Sequence, residues 1–246
     1  GSPDTLITVN GTGYVATSTI RANGANLLTT YVGSTQVKAT VPASAFASPG
    51  TVQITVQNPA PGGGTSGTAN ITVGCNTSGV NVVLSQLNQP QTFATNFTAG
   101  GAPKTARFDA AGACPSAPDP ANLQPYRALI VQNTTAASAT LASWAVCTSN
   151  GSSENDAFLS FYRRSTVPAT NVEREVCTPV ISEGISGAGA YSSPEAGGSD
   201  WCPGLTKANG GGISLGVCEK AVVYMQPYNV ASTTYTPPTS MKISLQ

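Results

Sequence analysis

A chain of 246 residues is long enough for one large domain or two ordinary ones, each burying its own core. It is 40% hydrophobic but only 9% charged, and its 11 basic residues cancel its 11 acidic ones, so no electrostatic footprint points to nucleic acid or an anionic membrane. Histidine is absent, which removes Ser-His-Asp and Cys-His arrangements, imidazole zinc sites and the commonest general base.

The chain opens on β structure. Alternating, β-branched segments separated by Gly, Pro and Asn recur about every 8–12 residues, the spacing of a β-sandwich. Strands are predicted near Leu6–Val9, Thr17–Ala22, Asn26–Tyr31, Gln36–Val41, Gly50–Gln57 and Gly67–Val73, with one helical turn at Ala43–Phe46. In Thr51–Gln57 the side chains of Val52, Ile54 and Val56 fall on one face and the polar ones on the other. Gly62-Gly63-Gly64 lacks a following Lys-Ser/Thr and a helix, so it reads as a turn and not as a phosphate loop.

Three motifs stand in order in this region: Val9-Asn10-Gly11-Thr12-Gly13-Tyr14, Ala39-Thr40-Val41-Pro42-Ala43-Ser44 and Asn58-Pro59-Ala60-Pro61-Gly62-Gly63-Gly64-Thr65-Ser66. Over residues 5–73 the trio resembles the IPT/TIG immunoglobulin-like domain of secreted and cell-surface bacterial proteins. The resemblance implies a sandwich that spaces, connects or binds and very rarely catalyses. Such domains normally begin with a further strand ahead of the first segment found here. The chain is therefore expected either to be trimmed, to tolerate the loss, or to have the groove filled by a neighbouring molecule.

Residues 75–81 are expected to link this domain, residues 1–74, to a second one, residues 82–246. Candidate strands there are Gln91–Phe97, Thr105–Asp109, Tyr126–Gln132, Ala139–Cys147, Ala157–Tyr162, Glu175–Ile181, Gly212–Val217, Ala221–Pro227 and Met241–Leu245, separated by long loops such as Gly112–Asn122 and Ser182–Gly198. The run Asp156-Ala157-Phe158-Leu159-Ser160-Phe161-Tyr162 and the late strand Ala221-Val222-Val223-Tyr224-Met225-Gln226 are similar to bacterial pre-peptidase C-terminal-like sandwich domains. The expected fold is all-β: two β-sandwich domains, an immunoglobulin-like one followed by a larger, disulfide-stapled, jelly-roll-like one.

All six cysteines lie after residue 74 and none forms a CxxC pair, which favours three disulfides in an oxidising compartment over a zinc ribbon. Six cysteines allow 15 pairings. The Gly-rich stretch between Cys202 and Cys218 suggests a local hairpin closed by that pair, a loop worth about 3 kcal/mol. Cys147–Cys177 and Cys75–Cys114 would complete the set. No run of about 18 apolar residues is present, so no membrane insertion is expected.

Candidate sites are sparse. Trp201, Tyr191 and Tyr126 are the aromatics that could stack on a sugar ring, although Trp144 and Trp201, each close to a cysteine, fit core packing around a disulfide better. Glu154 and Asp156 are a weak Ca²⁺ pair without EF-hand spacing. Glu183, Glu195 and Asp200 would need a carboxyl separation of roughly 5–9 Å to serve as a glycosidase pair. Arg163, Arg164 and Arg174, near Glu173 and Glu175, fit edge-strand charges or cross-strand ion pairs. Asn-x-Ser/Thr sequons occur at Asn10, Asn70, Asn76, Asn96, Asn133 and Asn150.

The expected function is structural or adhesive: a non-enzymatic module of a bacterial extracellular or cell-surface assembly, self-assembling by strand donation, with no cofactor. Its expected partners are itself or other surface proteins, with no nucleic acid. The alternative is a carbohydrate-binding module of a larger secreted hydrolase, with polysaccharide as its ligand.

Overall fold

The computed structural model describes residues 3–97, 104–108, 118–146, 157–175, 181–183, 193–194, 202–227 and 238–246, with the backbone alone at 104–108, 118–122, 175 and 181–183. The described chain is almost wholly β, as the alternation predicts. It divides into two units, Gly1–Asn76 and Thr77–Gln246.

The first unit holds eight strands: β1 (Thr5–Asn10), β2 (Thr19–Ala22), β3 (Ala25–Asn26), β4 (Thr29–Gly33), β5 (Gln36–Val41), β6 (Gly50–Asn58), β7 (Gly64–Thr65) and β8 (Ala69–Val73). One sheet runs β1-β5-β4; the other runs β3-β2-β6, with β7 and β8 on the far side of β6. Both are antiparallel, so each strand can bury one face and leave the other wet. Val52, Ile54 and Val56 of β6 are buried together as the alternation requires, facing Val37, Ala39 and Val41 of β5 and Ile20 of β2. Each of these valine and isoleucine side chains contributes about 1.5–3 kcal/mol on burial.

Turn chemistry fixes the strand order. Asn23 (φ 48°) and Gly24 (φ 84°) make the two-residue hairpin between β2 and β3, and both positive φ values suit this Asn-Gly pair. The two glycine-bearing motifs meet through one side chain. Asn58 donates from Nδ2 to the Gly13 carbonyl (2.8 Å) and accepts at Oδ1 from the Ser18 hydroxyl (2.6 Å). A Cβ at Gly11 would lie 2.2 Å from the Tyr14 hydroxyl, so the tyrosine ring would have to shift to admit one. The helical turn predicted at Ala43–Phe46 is a 3₁₀ turn that buries Phe46, and its first amide, Ala43, donates to Asp4 Oδ1.

The second unit holds β9 (Val82–Leu84), β10 (Gln91–Ala94), β11 (Lys104–Phe108), β12 (Pro118–Pro125), β13 (Arg127–Asn133), β14 (Ala139–Val146), β15 (Ala157–Tyr162), α1 (Asn171–Glu175), β16 (Ile181–Glu183), β17 (Gly204–Leu205), β18 (Ile213–Leu215), β19 (Lys220–Pro227) and β20 (Ser240–Leu245). Two five-stranded sheets form its sandwich: β10-β20-β14 with β17 and β18 on β14, and β16-β15-β19-β13-β9. Leu141, Met241, Ile243 and Leu245 of the first meet Leu129, Val131, Leu159, Phe161 and Val223 of the second in one core. The β9–β13 pair is parallel, while every other described pair in these two sheets is antiparallel.

Three local expectations change. β12 contains three prolines and reads as loop, yet it pairs only with β11, so its missing amide donors are tolerated. The predicted strand from Glu175 begins inside helix α1 instead. A capping box starts that helix: the Glu173 amide donates to Thr170 Oγ1 (3.2 Å), and Glu173 Oε2 accepts the Thr170 and Ala169 amides (3.2 and 2.7 Å). The predicted hairpin between Cys202 and Cys218 does not form, because β17 and β18 lie end to end along β14. Gly204–Leu205 pairs with Trp144–Ser143, and Ile213–Leu215 pairs with Leu141–Ala139.

Ile20→Ala is expected to lower the unfolding free energy of the first unit by about 2–5 kcal/mol, because Ile20 is fully buried between its sheets. Leu28→Ala, at a side chain 95% exposed, should change it by about 0.5 kcal/mol or less. Denaturant unfolding of both variants checks the pair.

Candidate functional site

Many residues singled out from the sequence fall outside the described chain: Glu154, Asp156, Tyr191, Trp201, Glu195, Asp200, Cys114, Cys147, Cys177 and Asn150. Glu183 lies at the end of β16, described by its backbone. Trp144 is buried. Among the described residues, no three His, Cys, Asp or Glu side chains gather as a metal site.

The cysteine pairing is corrected. Cys75, Cys202 and Cys218 are all disulfide-bonded, and Cys75 is joined to Cys218. This excludes both Cys202–Cys218 and Cys75–Cys114. The reason lies in β14. Cys202 precedes β17 near Ala145, with its Sγ 3.4 Å from the Ala145 carbonyl, whereas Cys218 follows β18 and donates its amide to Asn133. From β17 to β18 the pairing runs from Trp144 to Ala139, six residues of β14 or roughly 17 Å of strand, well beyond a disulfide's Cα separation of about 7 Å.

Tyr126 belongs to an aromatic cluster on the outer face of the β15-β19-β13 sheet. Period-two alternation sends Phe158, Ser160 and Tyr162 of β15 and Val222, Tyr224 and Gln226 of β19 away from the sandwich core. β12 packs over β19 and α1 packs against β12, so this outward face is buried as well. Tyr126 stacks on Tyr224 (ring centroids 5.0 Å apart, planes at 15°), and Tyr162 meets Tyr224 edge to face at 5.9 Å. Tyr126 therefore gives one ring face to Tyr224.

Arg174 of α1 is fully buried beside these rings, bonded to Asn171 Oδ1 and reaching Tyr224. It is not the edge-strand charge its sequence context suggested. Arg164 instead pairs with Glu173 at 2.7 Å, and Arg163 with Glu219 at 2.9 Å. The Arg164 guanidinium and the capped amides hold the Glu173 carboxyl at about 2. Burial pushes the Tyr162 and Tyr224 hydroxyls well above their ordinary range, against the opposing pull of Arg174.

The second candidate is the open flank of the first unit. Thr29 Oγ1 of β4 accepts the Ile20 amide of β2 (2.8 Å), which stitches one flank of the sandwich. The edges of the other flank are β1 and β8, and among the described residues β1 pairs only with β5 and β8 only with β6. The Gly11 amide donates to the Thr35 carbonyl across the β1–β5 ladder. Alternation then turns the amides and carbonyls of Thr5, Ile7 and Val9 toward β5, and those of Leu6, Thr8 and Asn10 toward the open side.

Several other edges are guarded. β4 has an irregularity at Tyr31–Gly33, β12 carries prolines, and the Val83 carbonyl of β9 accepts the Gln91 side-chain amide (3.2 Å). β1 has six paired residues in unbroken register, with no charge, proline or bulge, and Leu6 is 66% exposed. Ile7 and Val9 of β1 and Ile71 and Val73 of β8 are half-buried, each packed on the core from its own edge.

The tyrosine face makes the second unit sensitive to alkali. A folded-state pKa raised above the unfolded one stabilises fully below the ordinary tyrosine value near 10 and loses that contribution as pH climbs beyond it. Stability should fall steeply above about pH 10, and Tyr162→Phe should flatten that limb of a denaturant-midpoint profile. Glu173 acts in the opposite sense: its contribution is present above its ordinary 4.5 and is lost as pH falls toward 2. Glu173→Gln should remove that acid limb.

Residues 1–73 match the family model of the IPT/TIG domain. No curated protein matches the chain.

Proposed function

We propose that this chain, whose first unit is an IPT/TIG domain, is a structural or adhesive module of a bacterial extracellular or cell-surface assembly, joined to other polypeptides by strand pairing at the first unit. The observation that carries this reading is the unguarded edge of β1. Three residues, Leu6, Thr8 and Asn10, present backbone donors and acceptors along an uncharged, unbulged strand. An exposed edge of that kind recruits another strand, because pairing satisfies both backbones at once.

The rest of the chain suits such a role. The Cys75–Cys218 disulfide fits an oxidising compartment, and no described helix is long and apolar enough to cross a membrane. IPT/TIG domains are typically non-catalytic, so we assign the chain no enzymatic activity. The polysaccharide-binding reading receives less support, since Tyr126 already stacks on Tyr224.

Negative-stain electron microscopy of the protein purified from its native source should show the chain joined to further copies or to other polypeptides, as paired particles, fibres or lattices. Dispersed single particles would overturn the assembly reading. The second sandwich should be unaffected by edge variants in β1, which thermal unfolding of the purified chain can check.

A further inference from the structure

We infer that the occupant of the β1 edge is a second copy of β1, joined antiparallel about a two-fold axis through Thr8. The inference rests on the strand-pairing reading above and names the partner. In an isologous contact one surface meets itself, so every pairing group must find its equivalent. The parity of β1 satisfies that condition. The outward backbone groups sit at Leu6, Thr8 and Asn10, three positions symmetric about Thr8.

Centred there, the Thr8 amide and carbonyl exchange bonds with the partner's Thr8, and Leu6 exchanges with the partner's Asn10 at both ends. All three outward residues are used and none is left over. A register displaced by one residue would set outward groups against groups already spent on β5.

Charge and packing favour the same partner. β1 carries no ionisable side chain, so two copies meet without like charges in opposition. The two-fold axis stands perpendicular to the joined sheet, so both copies direct Ile7 and Val9 to the same side. The half-buried Ile7 of each copy then stands opposite the partner's Val9, and two half-covered apolar edges become one covered seam. The three-stranded sheets fuse into six strands, β4-β5-β1-β1-β5-β4.

Sedimentation velocity of the full chain over a concentration series tests this. The wild type is expected to shift from monomer to dimer as concentration rises. Thr8→Lys sets two ammonium groups across the axis, and Leu6→Lys charges the rim; each should abolish the dimer species while leaving the far-ultraviolet circular dichroism unchanged. Thr40→Lys, exposed on the neighbouring strand β5, should still dimerise.

A wild type that stays monomeric, or a dimer that survives both β1 variants, would overturn the inference. Amide exchange separates this failure from failure of the assembly reading. If the chain is monomeric but the Leu6, Thr8 and Asn10 amides slow on adding a synthetic alternating Val-Thr peptide, β1 accepts a foreign strand and only self-pairing is wrong. If those amides exchange fast under every condition, both readings fall.

Discussion

A strand has two edges, and the amides and carbonyls on each must be bonded to something. This obligation organises both units. With only 22 ionisable Lys, Arg, Asp and Glu side chains in 246 residues, there is little charge to decorate the edges, so the chain meets the demand mainly by pairing strands. In the second unit the residual edges are closed piecemeal: Gln91 caps Val83, Asn81 brackets Ile130 through both its amide and its side chain, and Asn133 gathers the Ala137 and Leu215 carbonyls. In the first unit, among the described residues, the flank formed by β1 and β8 carries no such device.

The contrast links stability to function within one fold. Ile20, Val37, Val41, Val52 and Ile54 close the middle of the first sandwich completely, so the unit does not depend on its flank for a core. Its outer seam is only half covered, and further pairing there adds burial without rebuilding anything inside. The second unit spends its outer sheet face differently. Residues that alternation directs to water in a two-layer sandwich are buried under a hairpin and a short helix, with three tyrosines and Arg174 among them. Polar groups in that layer tie its pH response to burial and not to surface charge.

Much of the architecture is legible from residue order. The Val52-Ile54-Val56 alternation identifies β6 and its buried face, and the Asn-Pro-Ala-Pro-Gly-Gly-Gly motif marks the turn after it. Strands Gln36–Val41 and Ala157–Tyr162 have the predicted bounds because period-two patterning is strong there and the flanking turn residues are clear. β12 was hidden because proline content argues against a strand unless the partner edge is known. Helix α1 was hidden because five residues are too few to show a period, although its Thr170-Asn171-Val172-Glu173 capping box was present to be read.

By itself the sequence determined the all-β class, the IPT/TIG character of residues 1–73 and the buried face of each strongly alternating strand, since these follow from local chemistry at fixed spacing. Only the tertiary structure decided which groups meet across long separations. Cys75 bonds Cys218, while Cys202 lies beside Ala145, apart from Cys218 because β17 and β18 run end to end along β14. Asn133, a sequon in the sequence, is fully buried with its amide bonded to two carbonyls, so it cannot accept a glycan. Arg174 reads as a surface charge and lies beneath Tyr224 because α1 and β12 cover that sheet face. The open edge of β1 belongs to the same class: alternation shows that a strand exists, but only its neighbours reveal which side has none.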